Sequence, residues 1–219
     1  DVIVVGTGIS GALVADALMQ AGYSVLALDR REPMSGSTPA STALLQFELD
    51  TPLTELSRKI GKSDAARAWW RSAQAVQALQ ERIRTLRIRC SFAERSTIYL
   101  PGNILGTREL KLEAAARQKL GLPSEFINRQ HLHEMTGMDK PGAILSYAHG
   151  EADPVRLVAG LWRHFLARGG RMAANKEVTE VEQTRSRVRH PARNAGRQIF
   201  PFSSRPVVAP DQSTQKLAS

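Results

Sequence analysis

The sequence predicts an α/β fold with a parallel sheet, and three observations lead there. An apolar run from Val2 to Val5 breaks into Gly6-Thr7-Gly8-Ile9-Ser10-Gly11. A helical pattern follows, with apolar residues at Leu13, Val14, Ala17, Leu18 and Ala21, and stops at Gly22. A second strand then runs from Tyr23 to Leu28 and ends on Asp29. Strand, helix and strand in that order form a βαβ unit, in which the helix carries the chain back so that the strands pair in parallel.

The glycine run has the pattern G-x-G-x-x-G at the junction of strand and helix, the fingerprint of a Rossmann-like dinucleotide site. Gly6 allows the tight turn, Gly8 lets the backbone approach a pyrophosphate, and Gly11 lets helix and sheet pack closely. The unbonded N–H groups and dipole at the helix start then hold the phosphates, so Gly6, Gly8, Ile9, Ser10 and Gly11 are candidate cofactor-binding residues. Asp29 ends the second strand, where its carboxylate can accept from ribose hydroxyls. Ala15 occupies the next close-packing position. An ordinary αβ unit with a glycine-rich turn would require three glycines and Asp29 to coincide.

With 219 residues the chain can bury a substantial core. Its single cysteine, Cys90, excludes an intramolecular disulfide and suggests a reducing, cytoplasmic setting. Asp16 and Gln20 interrupt the best apolar stretch, so no transmembrane segment is expected, and the glycine-punctuated start argues against a signal peptide. The net charge of +9 suggests a polyanion partner until it is divided by region. From Gln183 onward seven Lys or Arg face one acid, a local +6, which leaves +3 for residues 1–182. The body is nearly balanced and the tail has little aromatic interleaving, so a solvated tail is expected and no specific nucleic-acid partner.

Pro33 to Ala43 reads as a loop that follows the second strand and passes the nucleotide. Ser37, Thr38, Ser41 and Thr42 in it can donate hydroxyls to phosphate or ribose, or the stretch is a plain polar linker. A short helix over about Pro52 to Ile60 closes at Gly61. A longer one is capped by Ser63 and reaches about Leu86, with Ala66, Trp69, Trp70, Ala73, Val76, Leu79 and Ile83 on its buried face. Cys90 to Leu100 is strand-like, and a helix covers about Thr107 to Leu120 with Gly121 as its stop. His131 and His133 lie two apart and point to different sides with no acidic or cysteine cluster near, so they read as surface histidines and no metal site is expected. Gly142 to Ala148 is a strand. Asp153-Pro154 starts a helix whose buried face is Val158, Leu161, Trp162, Phe165 and Leu166, ending at Gly169-Gly170. Arg171 to Glu182 forms one or two strands with Val178 and Val181 inward.

The glycine unit, Asp29-Arg30-Arg31, the GSTPASTALL loop at Gly36 to Leu45, FELDTPL at Phe47 to Leu53, and EADPVRLVAGL ahead of GGRMAANKEVTEVE stand in one order. Together they resemble the glycine and D-amino-acid oxidase family of FAD-dependent oxidoreductases over about residues 1–182. The resemblance implies an α/β fold: a Rossmann-like FAD-binding domain over residues 1–52 and 150–182, and a mostly helical insertion with the start of a substrate-binding layer over 53–149. It places the pyrophosphate at the glycine turn, Asp29 on the ribose, Arg30 beside the adenine end and the Val178 backbone at the adenine. Ser37, Thr38, Ser41 and Thr42 match the loop that approaches the pyrophosphate and the flavin. It further implies a small-molecule amine or amino-acid substrate and, with no His or Cys in the loop, non-covalent FAD. No catalytic residue is assigned, because the groups that line the flavin ring in the family lie further along its fold. Substrate identity, electron acceptor and oligomeric state stay open, as does peripheral membrane contact.

After the Glu-Val-Thr strand the expected pattern gives way to a basic run with Pro191, Pro201, Pro206 and Pro210, and Pro210-Asp211 stands where a Thr-Gly turn is expected. These features suggest that the C-terminal half of the family fold is missing, that the chain is a truncated or frame-shifted product, and that residues 183–219 form a disordered basic tail. Two other readings remain beside the oxidoreductase. One is a catalytically silent remnant that only binds nucleotide. The other is an NAD(P)-dependent dehydrogenase in which Arg30 and Arg31 meet a 2′-phosphate.

Overall fold

A computed structural model describes residues 1–183 together with the backbone at 188–189 and 192–193. Along the chain run β1 (Val2–Val5), α1 (Ile9–Gln20), β2 (Val25–Leu28), a 3-10 turn (Thr38–Ala40), β3 (Leu44–Leu45), α2 (Leu53–Ile60) and α3 (Lys62–Thr85). Next come β4 (Ala93–Tyr99), α4 (Thr107–Lys119), β5 (Ser124–Asn128), α5 (Arg129–Thr136), β6 (Gly142–Glu151), α6 (Pro154–Ala167), β7 (Arg171–Ala173) and β8 (Glu177–Val178). Short strands β9 (Glu182–Gln183), β10 (Val188–Arg189) and β11 (Ala192–Arg193) come last among the described residues. The chain divides into two compact units: residues 1–40 with the chain from Val158 onward, and residues 41–157.

The first unit is the expected α/β core. β1, β2 and β7 form a parallel sheet with β2 in the middle, paired Val2↔Val25 on one side and Leu26↔Arg171 on the other. All four β2 residues are buried, as a central parallel strand requires. β2 starts two residues later than expected, because the Tyr23 N–H still bonds to the Leu18 carbonyl at the end of the preceding helix, 3.0 Å away. α1 buries Ala12, Ala15 and Asp16 rather than the larger apolar residues, and Val14 is exposed. Small side chains let the helix lie close to the strands, and the buried Asp16 carboxylate accepts from Gln20 Nε2 at 2.9 Å.

α6 starts as its sequence implies. The Asp153 side chain accepts from the Arg156 N–H at 2.9 Å, and Pro154 opens the helix. Val158, Leu161, Trp162 and Phe165 are buried, whereas Leu166 lies outside that stripe and is exposed. Val181, expected inward, is 64% exposed because it falls between β8 and β9, where no ladder places it on a face. Within the segment expected to be disordered, β10 pairs with β9 and β11 with β8, both antiparallel; its other residues after Gln183 lie outside the described residues.

In the second unit β6 is the spine. β4 pairs along one edge, Ala93↔Glu151 to Tyr99↔Ile144, with a bulge between Arg95 and Thr97. β5 and β3 pair with the other edge. α2 and α3 meet at Gly61, whose φ of +88° favours glycine, and Gly61 rather than Ser63 is the N-cap of α3. The α3 stripe is Ala65, Trp69, Val76, Gln80 and Ile83. Trp70 sits one position, about 100° of helix, round from Trp69 and is 52% exposed, so only one member of the Trp pair is core. His131 and His133 are exposed on α5, and among the described residues no helix is long and apolar enough to cross a membrane.

Buried charge organises this unit. The fully buried Glu113 carboxylate accepts from the Leu53 and Thr54 N–H groups, both at 2.8 Å, and thereby caps α2 from α4, where Pro52 provides no side-chain cap. It also pairs with Arg117 Nε at 2.9 Å, and that guanidinium lies 4.5 Å over the Trp69 ring. Glu48 receives Thr97 Oγ1 at 3.0 Å and lies 3.0 Å from His149 Nε2. Burial pushes the Glu48 carboxyl upward, but the hydrogen bond and charge of His149, with Ser146 and Thr97, outweigh it and hold it below the ordinary value. Replacing Glu113 with Ala removes the α2 cap and leaves buried Arg117 only its 3.5 Å pairing with Glu48, a loss of about 3 kcal/mol in urea denaturation, whereas the exposed Arg67–Asp64 pair costs under ~1 kcal/mol when broken.

Candidate cofactor-binding site

The site is built on the turn between β1 and α1. Gly6, with φ of +101°, donates its N–H to the Leu28 carbonyl at 2.7 Å and turns the chain off the sheet. A Cβ at residue 11 would lie 1.9 Å from the Gly6 carbonyl oxygen, so only glycine lets α1 start there. Gly8 is the N-cap, extended and without a side-chain cap, and its carbonyl accepts the first helical bond from Ala12 at 2.9 Å. Among the described residues no acceptor meets the N–H groups of Gly8, Ser10 or Gly11. They point a ready set of donors at an anion, with the helix dipole behind them. The Ile9 N–H makes a long bond, 3.3 Å, to Thr38 Oγ1, which brings the buried Thr38 of the following loop onto the turn.

Asp29 sits at the carboxyl end of β2 and faces this turn. Its Oδ2 accepts from both the N–H and the hydroxyl of Thr7, each at 2.7 Å, and its Oδ1 accepts from the Arg31 N–H at 2.9 Å. Since each carboxylate oxygen can accept twice, one position remains on Oδ1, enough for one ribose hydroxyl. Burial raises the Asp29 pKa, but the hydrogen bonds from Arg31 and Thr7 and the Arg31 charge prevail and lower it. The Asp29 backbone also joins neighbouring segments, donating to Ala173 at 3.1 Å and accepting from Lys176 at 2.7 Å.

The remaining sequence candidates fall in different places. Arg30 and Ser37 are exposed beside the turn's loop. Ser41 and Thr42 are exposed at the start of the second unit, where the Ser41 hydroxyl accepts from the Ala43 N–H at 3.1 Å. Val178 is half-buried in β8, its backbone opposite Ala192. Gly6, Gly8, Ile9, Gly11, Asp29 and Thr38 therefore come together, with Ser10 exposed on the opening turn of α1. Two residues were not among the sequence candidates. Thr7 is the unspecified position inside G-x-G, and Trp162 reads from periodicity only as part of a buried face, yet its indole Nε1 donates to the Thr7 carbonyl at 2.9 Å.

A glycine turn opening a helix above a parallel sheet, with an acid at the end of the second strand, is shared by several nucleotide-binding families, and the whole-chain match distinguishes among them. The DAO family model, FAD-dependent oxidoreductases, matches residues 1–208. The chain belongs to this family. The match runs past residue 182, where the quoted motifs end, so the likeness extends further than those motifs. A relative in Bacillus subtilis strain 168, named a putative Rieske 2Fe-2S iron-sulfur protein, is 20% identical over 183 residues, 84% of this chain and 35% of that one. Glycine oxidase from Geobacillus kaustophilus superposes with a TM-score of 0.65 at 20% identity, covering 88% of this chain and 50% of that one. L-α-glycerophosphate oxidase from Mycoplasma pneumoniae, with FAD bound, gives a TM-score of 0.68 at 14% identity over 89% and 50%. The chain thus spans about half the length of these solved structures and about a third of the curated relative.

Because the folded Asp29 carboxyl titrates below its unfolded value, it stabilises the fold fully above the ordinary carboxylate value of about 4 and loses that contribution as pH falls through the lower folded value. Urea midpoints measured from pH 6 down to pH 2 fall in the wild type, and part of that fall disappears in Asp29→Asn.

Proposed function

We propose that this chain supplies the FAD-binding part of an oxidoreductase that oxidises an amine or amino acid, with FAD held non-covalently. The observation that carries the reading is the open set of N–H groups at Gly8, Ser10 and Gly11 in a member of a FAD-dependent family. These groups take the diphosphate, Asp29 Oδ1 takes one ribose hydroxyl, and Thr38 flanks the phosphates. Ser10, Arg30, Ser37, Ser41, Thr42 and the Val178 backbone complete the proposed contacts. When bound, FAD supplies the chemistry, accepting a hydride from the carbon that bears the amine. The chain's own part is to bind and orient: the glycine turn anchors the adenosine diphosphate end and leaves the reactive ring to groups elsewhere in the protein.

The substrate class is supported by the glycine oxidase likeness and by the family resemblance of the Gly36–Leu45 loop and the Asp153-Pro154 helix. A division into a FAD-binding part, residues 1–52 and 150–182, and an insertion, 53–149, is supported by the two compact units, whose limits lie nearby. The lone buried Cys90 supports a cytoplasmic setting.

The intact protein, purified, is expected to be yellow, to release its flavin on denaturation, and to bleach anaerobically with an amine or amino-acid substrate. Tighter binding of NADPH than of FAD would overturn the assignment. Gly11→Ala drives a Cβ into the Gly6 carbonyl, and isothermal titration should show FAD affinity lowered about 100-fold with far-UV circular dichroism kept.

A further inference from the structure

We propose that Trp162 is a positioning residue for the cofactor, acting through the Thr7 carbonyl to hold the glycine turn in the shape that presents its N–H groups to a diphosphate. The inference rests on the assignment of FAD to that turn. Thr7 is tied on every polar group: its N–H and hydroxyl go to Asp29, and its carbonyl receives the Trp162 indole at 2.9 Å. The Thr7 carbonyl and the Gly8 N–H belong to one trans peptide plane and point in opposite directions. The indole that pins the carbonyl on one side therefore aims the Gly8 N–H at the other, where it meets no acceptor among the described residues.

The need for such a tie follows from the neighbours. Thr7 lies between Gly6 and Gly8, and neither has a side chain to resist rotation of the peptide unit. Left free, the unit between Thr7 and Gly8 can turn over and direct a carbonyl oxygen at the phosphates, replacing attraction with repulsion. Trp162 is well placed to prevent this. Its ring is buried, held edge-on to Phe165 with centroids 5.1 Å apart, and carried on the regular α6, so the donor is rigid.

A purely structural role makes a different prediction, because a buried indole contributes apolar area and needs some acceptor wherever it sits. Isothermal titration of the intact protein with FAD separates the two. Trp162→Phe keeps an aromatic ring on the same buried face and removes the donor, and is expected to weaken FAD binding about fivefold. Val158→Ala, on the same buried face but without a bond to the turn, is expected to lower Tm while leaving the FAD Kd unchanged. Equal FAD affinity in Trp162→Phe and wild type overturns the inference alone. A wild type that does not bind FAD overturns the FAD assignment and this inference with it. Should Trp162→Phe not fold, hydrogen exchange of the Trp162 indole N–H in the wild type decides: coupling is reciprocal, so saturating FAD slows that exchange, and an unchanged rate overturns the proposal.

Discussion

The glycine turn of the first unit depends on how closely a helix can approach the end of a strand. The Gly6 carbonyl occupies the place a side chain on residue 11 would need, and the absence of that side chain lets α1 begin directly over β1. A helix seated there buries Ala12 and Ala15 against the sheet and turns its opening N–H groups outward as a set. The same seating brings Thr7 within reach of the acid at the end of β2, so the parallel pair β1–β2 is tied at its carboxyl end by side-chain bonds as well as by its ladder. Asp29 thus has two duties, and its geometry limits the second: three of its four acceptor positions are taken by the protein.

The second unit relies on a different device. Its helices α2, α3 and α4 carry no side-chain N-cap, and Gly61 closes one helix and opens the next without a side chain to offer. The Glu113 carboxylate, set into the first turn of α2, provides what local sequence does not, and Arg117 neutralises it beneath the Trp69 ring. Such a pair contributes less net stability than its short distances suggest, since both charges were desolvated to form it. Its value is in fixing one arrangement of α2, α3 and α4, because moving α2 away takes the two N–H partners from the buried Glu113 carboxylate.

Much of this was legible in the residues, and the pattern of what was not has physical causes. β1, the glycine turn, the Asp153-Pro154 start of α6 and the stops at Gly61 and Gly121 are local chemistry, readable within a few positions. Faces were read less well. Trp70, Leu166 and Val14 fit helical spacing yet are exposed, because periodicity identifies a stripe only to within about one residue and α1 packs by its small side chains. The least legible contacts were those between residues distant in sequence: Glu113 with the start of α2, and Trp162 with Thr7. In each, one partner looks ordinary on its own, a glutamate on an Ala- and Lys-rich helix or an aromatic on an apolar face, and only the fold reveals the assignment.

The central strand of the parallel sheet has one neighbour close at hand and one far away: Leu28 pairs with Val5 on one side and with Ala173 on the other. At roughly 5–20 residues per second, a ribosome needs on the order of ten seconds to travel from the first of those positions to the last. Throughout that interval β2, made of four apolar residues, lacks its second partner, while residues 41–157 form an uninterrupted stretch with a core of their own. The inserted unit is therefore positioned to fold first on the emerging chain, and the nucleotide cradle, begun earliest, is finished only when α6 and β7 arrive.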